Sequence, residues 1–322
     1  MIDCLNRTID YIRISVTDRC NLRCVYCMPE EGVVPMDHED ILSYQEIVRI
    51  CEAGAHLGIR KVKITGGEPL VRKDIEKLIG QLSRIPGIDD ITMTTNGSLL
   101  KEKGAALKAA GVSSINVSLD TLDPERFAKI TRRDCFQTVI EGIENAKALG
   151  LNVKINCAVM EELTKEEVLA FSRFSMEQEI PVRFIEMMPI GQGANYKAMN
   201  NDDLAGILRS AYGELTESKR VIGNGPAVYY TWGDGKGSIG FISAVNHKFC
   251  GTCNRVRLTS DGFLKLCLDS PAGMDLKGPI RAGISQDELV HLMEHTIWDK
   301  PESHHFDNEH KKTDLNMNQI GG

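Results

Sequence analysis

The sequence predicts an α/β protein: an incomplete, TIM-like (β/α)6 barrel followed by a C-terminal extension. Strand-like and helix-like runs alternate from about residue 11 to about residue 188, and β–α units in series imply a parallel sheet, open or curled into a partial barrel. Polar and apolar residues alternate along most of these strands, whereas parallel strands buried on both faces read as continuous apolar runs. One face of the sheet is therefore expected to line a lumen that is hydrated or holds a polar ligand.

Each predicted element has a local signal. The strands are expected at residues 11–17, 61–65, 90–96, 114–120, 152–159 and 182–188. Two helices should begin with capping boxes, formed by Ser43 with Glu46 and by Thr164 with Glu167. Three glycines follow the ends of helical segments, where a left-handed residue terminates a helix: Gly58, Gly111 and Gly150.

The lumen face is defined by the alternation in the first five strands. Its members are Arg13, Ser15, Thr17, Lys61, Lys63, Thr65, Thr92, Thr94, Asn96, Ser114, Asn116, Ser118, Asp120, Lys154 and Asn156. The sixth strand does not alternate cleanly, so its faces are harder to assign. An antiparallel sheet with one solvated face would also alternate, but the intervening helices and the lack of tight hairpin turns favour the parallel barrel.

Composition sets the size class and excludes some functions. A chain of 322 residues suggests one large domain plus an appendage, which we divide into residues 1–225 and residues 226–322. The net charge of −7 argues against a nucleic-acid-binding surface but allows an anionic small molecule in a locally basic pocket. No apolar run approaches the ~18 residues of a membrane helix, and the N-terminus lacks a signal-peptide core, so we expect no membrane association and a cytoplasmic location.

Six of the ten cysteines fall into two groups, and the first group follows the first strand. Cys20, Cys24 and Cys27 lie in the string C-N-L-R-C-V-Y-C. Three thiolates in one loop can bind three irons of a four-iron cluster and leave the fourth iron open to a small molecule. A zinc ribbon instead pairs its ligands and supplies four of them. The scattered cysteines are expected to act as small apolar residues: Cys4, Cys51, Cys135 and Cys157.

The second group consists of Cys250, Cys253 and Cys267. The turn signal at residues 260–262 predicts a hairpin that returns Cys267 to the vicinity of Cys253. Two interpretations follow: a second three-cysteine iron–sulfur cluster, or a zinc site completed by His247. The presence of the first group favours the second cluster.

Five cations are predicted to surround one cavity. Arg255 and Arg257 lie two residues apart, so they share a face of a hairpin strand next to the second cysteine group. Arg13, Lys63 and Lys154 come from the lumen face. Such a set needs a polyanion to offset its repulsion, and a triphosphate is the obvious candidate. A basic, solvated edge strand is the alternative for the two arginines.

Several strings resemble known signatures. The C-x₃-C-x₂-C loop, followed by Thr65-Gly-Gly-Glu-Pro-Leu70 at the end of the second strand, resembles the radical S-adenosylmethionine (SAM) superfamily. Nearly the whole chain resembles its GTP 3′,8-cyclase family, which acts in molybdenum cofactor biosynthesis. The strings that carry this resemblance are Asp10-Tyr-Ile-Arg-Ile-Ser-Val-Thr-Asp-Arg-Cys20, Thr94-Thr-Asn-Gly97, Arg183-Phe-Ile-Glu-Met-Met-Pro189, Cys250-Gly-Thr-Cys-Asn-Arg-Val-Arg257 and the terminal Gly-Gly.

The resemblance implies a lyase with SAM and two [4Fe–4S] clusters as cofactors. The first cluster would reduce SAM, and the resulting radical would take the hydrogen from C3′ of GTP. Attack on C8 of guanine would then give (8S)-3′,8-cyclo-7,8-dihydroguanosine 5′-triphosphate. The extension would close the barrel mouth and hold the second cluster against the guanine. The family further implies an external one-electron reductant, a homodimer and a downstream pterin synthase.

The same resemblance implies roles for individual residues. SAM is expected to contact Tyr26, Gly67, Ser118 and Met188. GTP is expected to contact Arg13, Lys63, Thr94, Lys154, Arg255, Val256 and Arg257, of which Arg13, Arg255 and Arg257 are the candidate catalytic residues. The metal ligands would be the six grouped cysteines, and the tail Gly321-Gly322 would enter the active site. Ordinary alternatives are core packing for Met188 and loop packing for Tyr26.

Two rival functions remain open on sequence grounds. One is another radical SAM enzyme with an auxiliary cluster, such as one that modifies a peptide. The five cations favour a nucleotide over a peptide. The other is a non-enzymatic binding module in which both cysteine groups hold zinc.

Overall fold

A computed structural model of the chain describes residues 1–197, 199–219, 222–233, 235, 237–306 and 316–321. Six parallel strands form the centre of one sheet, each paired with the next along the chain. They are β1 (Tyr11–Ser15), β2 (Lys61–Thr65), β3 (Asp90–Thr95), β4 (Ser114–Ser118), β5 (Asn152–Val159) and β6 (Val182–Glu186). The predicted α/β barrel core is confirmed, and β2 and β5 have the predicted bounds.

Helices cover the outer face of the sheet. Between the six strands lie α1 (Tyr44–His56), α2 (Ile75–Leu82), α3 (Leu100–Ala110), α4 (Pro124–Thr131), α5 (Phe136–Ala148) and α6 (Lys165–Gln178). Later in the chain come α7 (Asn201–Tyr212), α8 (Lys277–Arg281) and α9 (Gln286–Trp298). Both predicted capping boxes form, and a third, at Ser285 with Glu288, was not predicted. None of the helices that the structure describes is long and apolar enough to cross a membrane.

The three glycines expected at helix ends adopt the backbone conformation that the prediction requires. Gly58, Gly111 and Gly150 have φ angles of 87°, 111° and 72°. These angles lie in the left-handed region, where a side chain is costly.

The C-terminal strands extend the sheet at both of its edges. They are β7 (Thr216–Glu217), β8 (Val228–Thr231), β9 (Ile239–Ile242), β10 (Arg255–Leu258), β11 (Phe263–Lys265) and β12 (Gly273–Asp275). β9 pairs in parallel with β6, and β10 pairs in parallel with β1. Neither pairing is predictable from the sequence pattern, because pairing between strands far apart in the chain leaves no local signal. The predicted hairpin is confirmed, with Arg257 on β10 opposite Lys265 on β11.

The apolar face of the sheet forms the core with the helices. Ile12, Ile14, Val62 and Ile64 are each at most 1% exposed. Burial of such a side chain stabilises the fold by about 1.5–3 kcal/mol. The alternation therefore fixes which face of the sheet packs against the helices and which face lines the lumen. Three strands end two residues earlier than predicted, β1, β4 and β6, because the chain there turns into loops at the carboxyl edge of the sheet.

Candidate active site

The barrel encloses a cavity of about 1110 Å³. Small-molecule sites have volumes of roughly 300–1,000 Å³, so this one has room for more than one ligand. Its lining includes most of the lumen face that the alternation predicted: Arg13, Lys63, Thr92, Thr94, Ser114, Asn116, Ser118, Asp120, Lys154 and Asn156. Lys61 lies at the start of β2 and pairs with Asp10 at 2.7 Å instead.

Strand register brings three of the five predicted cations side by side. Arg13 lies opposite Arg257 on one side and opposite Lys63 on the other. Lys154 lies on β5, and Arg255 begins β10 and also lines the cavity. The five cations expected from sequence therefore do surround a single cavity.

Burial makes this crowding costly for the free protein. The pKa of Lys63 is well below its usual value because of burial and then because of its cationic neighbours, although Asp90 opposes the shift. Burial also lowers the pKa of Lys154, to about 8, and that of Arg257. A polyanion in the cavity would offset both the burial of these cations and their mutual repulsion, since an opposite charge favours the protonated form of each lysine.

Arg183 on β6 is a cavity residue that the sequence analysis did not assign to a face. It is 6% exposed, and its Nε and Nη2 atoms are buried without a hydrogen-bond partner among the residues described. Burial lowers its pKa, an effect that Tyr229 opposes. The quoted string R-F-I-E-M-M-P contained Arg183, but the irregular alternation of β6 hid its orientation. A sixth cation therefore points into the cavity.

The first cysteine group lies in the loop after β1, and the loop is fixed to the barrel through Tyr26. The Tyr26 hydroxyl donates to Asp120 Oδ2 at 2.6 Å, and Asp120 Oδ1 accepts the amide of Ala158 at 2.8 Å. Burial raises the pKa of Cys27 to about 12, and neighbouring Cys20 adds to the shift. A thiolate at Cys27 would therefore be stabilised by a bound metal such as the iron of a cluster.

The Gly-Gly-Glu-Pro string packs directly against this loop. The Gly67 amide donates to the Thr17 carbonyl at 2.6 Å, and the Glu68 amide donates to the Arg19 carbonyl at 2.8 Å. The Glu68 carboxylate accepts from the Thr95 hydroxyl at 2.7 Å and from the Asn96 amide at 2.6 Å. The string thereby joins the ends of β1, β2 and β3 under the cysteine loop.

The second cysteine group borders the cavity directly. Cys250, Cys253 and Cys267 all belong to the cavity lining. The β10–β11 register, extended by two residues, places Cys267 opposite Arg255, as the hairpin prediction required. Burial would raise the pKa of Cys253, but Arg255 and Lys300 outweigh it and bring the pKa to about 7. Arg255 and Lys300 therefore give this group a cationic environment.

The zinc alternative for the second group proposed His247 as its fourth ligand. His247 is a surface residue whose Nε2 lies 3.0 Å from Asp202 Oδ2. Within the described ranges, no three His, Cys, Asp or Glu side chains are arranged to hold a single metal ion. A zinc ion needs all its thiolates about 2.3 Å from one point, whereas a four-iron cluster distributes them over separate irons.

The C-terminal tail reaches the barrel, as expected. Arg257 Nη1 donates to the Gly321 carbonyl at 3.0 Å, and Thr65 Oγ1 lies 3.5 Å from the same oxygen. Gly321 has a φ of 71°, and a Cβ there would lie 2.9 Å from Thr65 Oγ1 and from Ser15 Cβ. Both the angle and the space require glycine. Gly322 lies outside the described residues.

The other expected ligand contacts fall into two classes. Those whose residues line the cavity are Tyr26, Ser118, Met188 and Thr94. Gly67 packs against the Arg19 carbonyl instead, and Val256 is fully buried in the core. Any contact of Val256 with a ligand would therefore have to involve its main chain. Met188 also packs against the small cluster of Ile190, Leu268 and Ile320, in line with its packing alternative.

Comparison with known sequences places this site in a family. The family described as "Radical SAM superfamily" matches residues 14–174, and the one described as "Molybdenum Cofactor Synthesis C" matches residues 180–306. The chain is 46% identical to a GTP 3′,8-cyclase of Desulforamulus reducens and 45% identical to one of Petrotoga mobilis. Both alignments cover 100% of this chain and 100% of the relative.

Solved structures agree with this at the level of the fold. Streptococcus suis SuiB bound to S-adenosylmethionine has a TM-score of 0.63 at 16% identity, covering 87% of this chain and 65% of that one. SuiB bound to its precursor peptide SuiA has the same TM-score at 15% identity, with coverages of 92% and 66%. The two cysteine groups, the full-length identity and the fold lead to one conclusion: this chain belongs to the GTP 3′,8-cyclase family of the radical SAM superfamily.

Proposed function

We propose that the chain cyclises GTP to (8S)-3′,8-cyclo-7,8-dihydroguanosine 5′-triphosphate by radical SAM chemistry, an early step of molybdenum cofactor biosynthesis. One observation carries this: a single cavity is lined by the second cysteine group, by buried cations and by Tyr26 of the loop that carries the first cysteine group. When bound, SAM and the two [4Fe–4S] clusters supply the reducing electron, the hydrogen-abstracting radical and two open irons. The chain must position the ligands and exclude water.

We assign the SAM end of the cavity to the loop after β1. Tyr26 is held by Asp120, and Ser118 ends β4 two residues before Asp120. Gly67 acts by letting the Gly-Gly-Glu-Pro string approach the cysteine loop rather than by lining the cavity. Cys20, Cys24 and Cys27 would hold the cluster that binds SAM.

We assign the triphosphate to the cations at the centre of the barrel. Lys63, Lys154 and Arg183 are buried, and each has a lowered pKa in the free protein. A triphosphate would pair with these donors, and charge-assisted hydrogen bonds are about twice as strong as neutral ones. Thr94 would add a hydroxyl contact, because its buried Oγ1 has no partner within the described part of the chain.

The guanine and ribose would then lie between Arg13 and the hairpin of the second cysteine group. Arg257 lies beside Arg13 in register and contacts the tail, so it would connect substrate to tail. Replacing Arg255 or Arg257 by Ala should damage GTP handling while both clusters remain. Iron loss with unchanged product per cluster would contradict this assignment.

The assay of the proposed reaction is direct. Reconstituted protein is incubated anaerobically with SAM, a strong reductant and GTP, and mass spectrometry measures 5′-deoxyadenosine and an isomer of GTP. Joint, GTP-dependent appearance of the two supports the proposal. If 5′-deoxyadenosine forms while GTP remains unchanged, the chain is a radical SAM enzyme but GTP is not its substrate.

The domain division and partners are part of this proposal. We propose residues 1–225 as the barrel unit and residues 226–322 as the unit that holds the second cluster. SAM cleavage needs one electron from an external donor, and the cyclised nucleotide needs a downstream pterin synthase that rearranges it. A homodimer is supported by exposed apolar side chains at the N-terminal segment, Ile2 and Leu5, and by exposed Trp298, whose carbonyl accepts from the Cys4 amide. Analytical ultracentrifugation of a Trp298→Glu variant tests that interface.

A further inference from the structure

A buried lysine, Lys300, lies beside the second cysteine group. It is 3% exposed, although lysine is almost never fully buried without a partner. Its Nζ donates to the carbonyl oxygens of Arg255, at 2.8 Å, and of Leu266. Arg255 begins β10 and Leu266 directly precedes Cys267, so the ammonium group bridges both sides of the hairpin that carries the cysteines.

The ammonium group also acts on the thiols themselves. Lys300 lies close enough to Cys253 and Cys267 for its charge to interact with both thiols. Lys300 and all three thiols of the group also line the same cavity.

A second buried cation fixes Lys300 in this position. The Arg7 guanidinium donates to the carbonyl oxygens of Lys300, at 2.9 Å, and of Cys250, at 3.2 Å. Arg7 is itself held by Asp3 at 2.7 Å, and the two side chains are 6% and 0% exposed. The segment that carries Lys300 and the loop that carries Cys250 are therefore attached to one rigid buried group.

Charge next to an iron–sulfur cluster changes its reduction potential. Three thiolates give a cluster a negative net charge, and reduction adds one more negative charge. A fixed cation beside the sulfurs stabilises the reduced form more than the oxidised form, and low exposure limits solvent screening. At the first cysteine group, by contrast, burial, the other thiols and Asp120 all disfavour the thiolate of Cys24.

We propose that Lys300 is the charge-compensating and positioning residue of the second cluster, and that it raises the reduction potential of that cluster. This inference goes beyond the cyclisation reaction but rests on the proposed function in one respect, that the second cysteine group holds a cluster. Neither the cysteine spacing nor the expected ligand contacts include Lys300.

The test measures the potential of the second cluster alone. In a full-length chain with Cys20, Cys24 and Cys27 replaced by Ala, only the second group can hold a cluster. This parent is reconstituted anaerobically and titrated potentiometrically, with the cluster followed by electron paramagnetic resonance. Lys300→Met should lower the equilibrium constant for reduction at least about tenfold, a negative shift of about 59 mV for one electron. Lys300→Arg, which keeps the charge, should stay near the parent.

A control variant and the iron content separate the possible outcomes. Lys277→Met removes a lysine of the extension that pairs with Asp40, and it should leave the potential unchanged. Cluster assembly with Arg but not Met at position 300 would also support charge compensation. An unchanged potential in Lys300→Met, or cluster loss in both variants, would overturn it. A parent that binds no iron would instead overturn the second cluster of the proposed function, and the inference with it.

Discussion

Gly67 offers the sharpest test of how the barrel supports the cysteine loop. A Cβ at this position would lie 2.3 Å from the Arg19 carbonyl oxygen and 2.7 Å from the Asp18 carbonyl oxygen. Both atoms are main chain directly before Cys20, so no flexible side chain can move aside. To reach an ordinary contact of 3.4 Å, the Arg19 carbonyl oxygen must retreat by about 1.1 Å.

The cost of Gly67→Ala follows from these contacts. Overpacking of a tight site costs about 1–3 kcal/mol, and weakening the hydrogen bond between the Glu68 amide and the Arg19 carbonyl adds about 1 kcal/mol. We therefore expect the free energy of unfolding of the cluster-free protein to fall by about 2–4 kcal/mol. Because Cys20 moves with Arg19, the first cluster should also lose iron and SAM affinity.

The measurements are denaturant unfolding, iron content and SAM binding, each made beside a matched glycine variant. Gly80 lies inside α2, and a Cβ there would meet nothing within 4 Å. Gly80→Ala should therefore stabilise the protein by about 1 kcal/mol and leave both clusters intact. If Gly67→Ala unfolds within about 0.5 kcal/mol of the wild type and keeps its iron and SAM affinity, the packing argument fails.

Three further predictions concern the cavity. Arg183→Met should raise the KM for GTP by about 10–100-fold, since charged hydrogen bonds contribute about 1.5–3 kcal/mol. Arg209→Met, at an exposed position, is the control. A KM for GTP in Arg183→Met equal to that of the control would contradict the assignment. GTP affinity should fall as the pH rises above about 8, because free Lys154 with a pKa of about 8 must then take up a proton to bind. In isothermal titrations, GTP binding by Lys154→Arg should depend less on pH, with Lys63 supplying the remaining dependence, and an unchanged dependence would exclude Lys154 as a source. Deleting Gly321 and Gly322 should lower turnover while the melting temperature stays the same, because Gly321 contributes few contacts, among them those with Arg257 and Thr65. Full activity of the truncated chain would refute a role for the tail.

The cationic cavity explains how a protein with a negative net charge can bind an anionic substrate. The net charge of −7 describes the whole chain, whereas the lumen concentrates cations such as Lys63, Lys154 and Arg183 where solvent cannot screen them. The stability that these side chains cost the free protein is recovered when an anion binds.

The sequence by itself determined the barrel core and the two cysteine groups. Alternation decides which face of each strand is buried, because a shift of one residue would move every side chain to the other face. The strand pattern alone therefore places Arg13, Lys63 and Lys154 in the lumen. The cysteine spacing and the hairpin turn are also local signals, and they identified both cysteine groups.

Only the tertiary structure decided what depends on contacts between distant segments. The pairing of β10 with β1 puts Arg257 beside Arg13, which are 244 residues apart in the chain and share no local pattern. Arg183 was hidden by the irregular alternation of β6, and Lys300 follows a helix with no motif around it. Charge in a buried site is set by whichever groups the fold brings within a few ångströms, and that distance is not encoded in the spacing of residues along the chain.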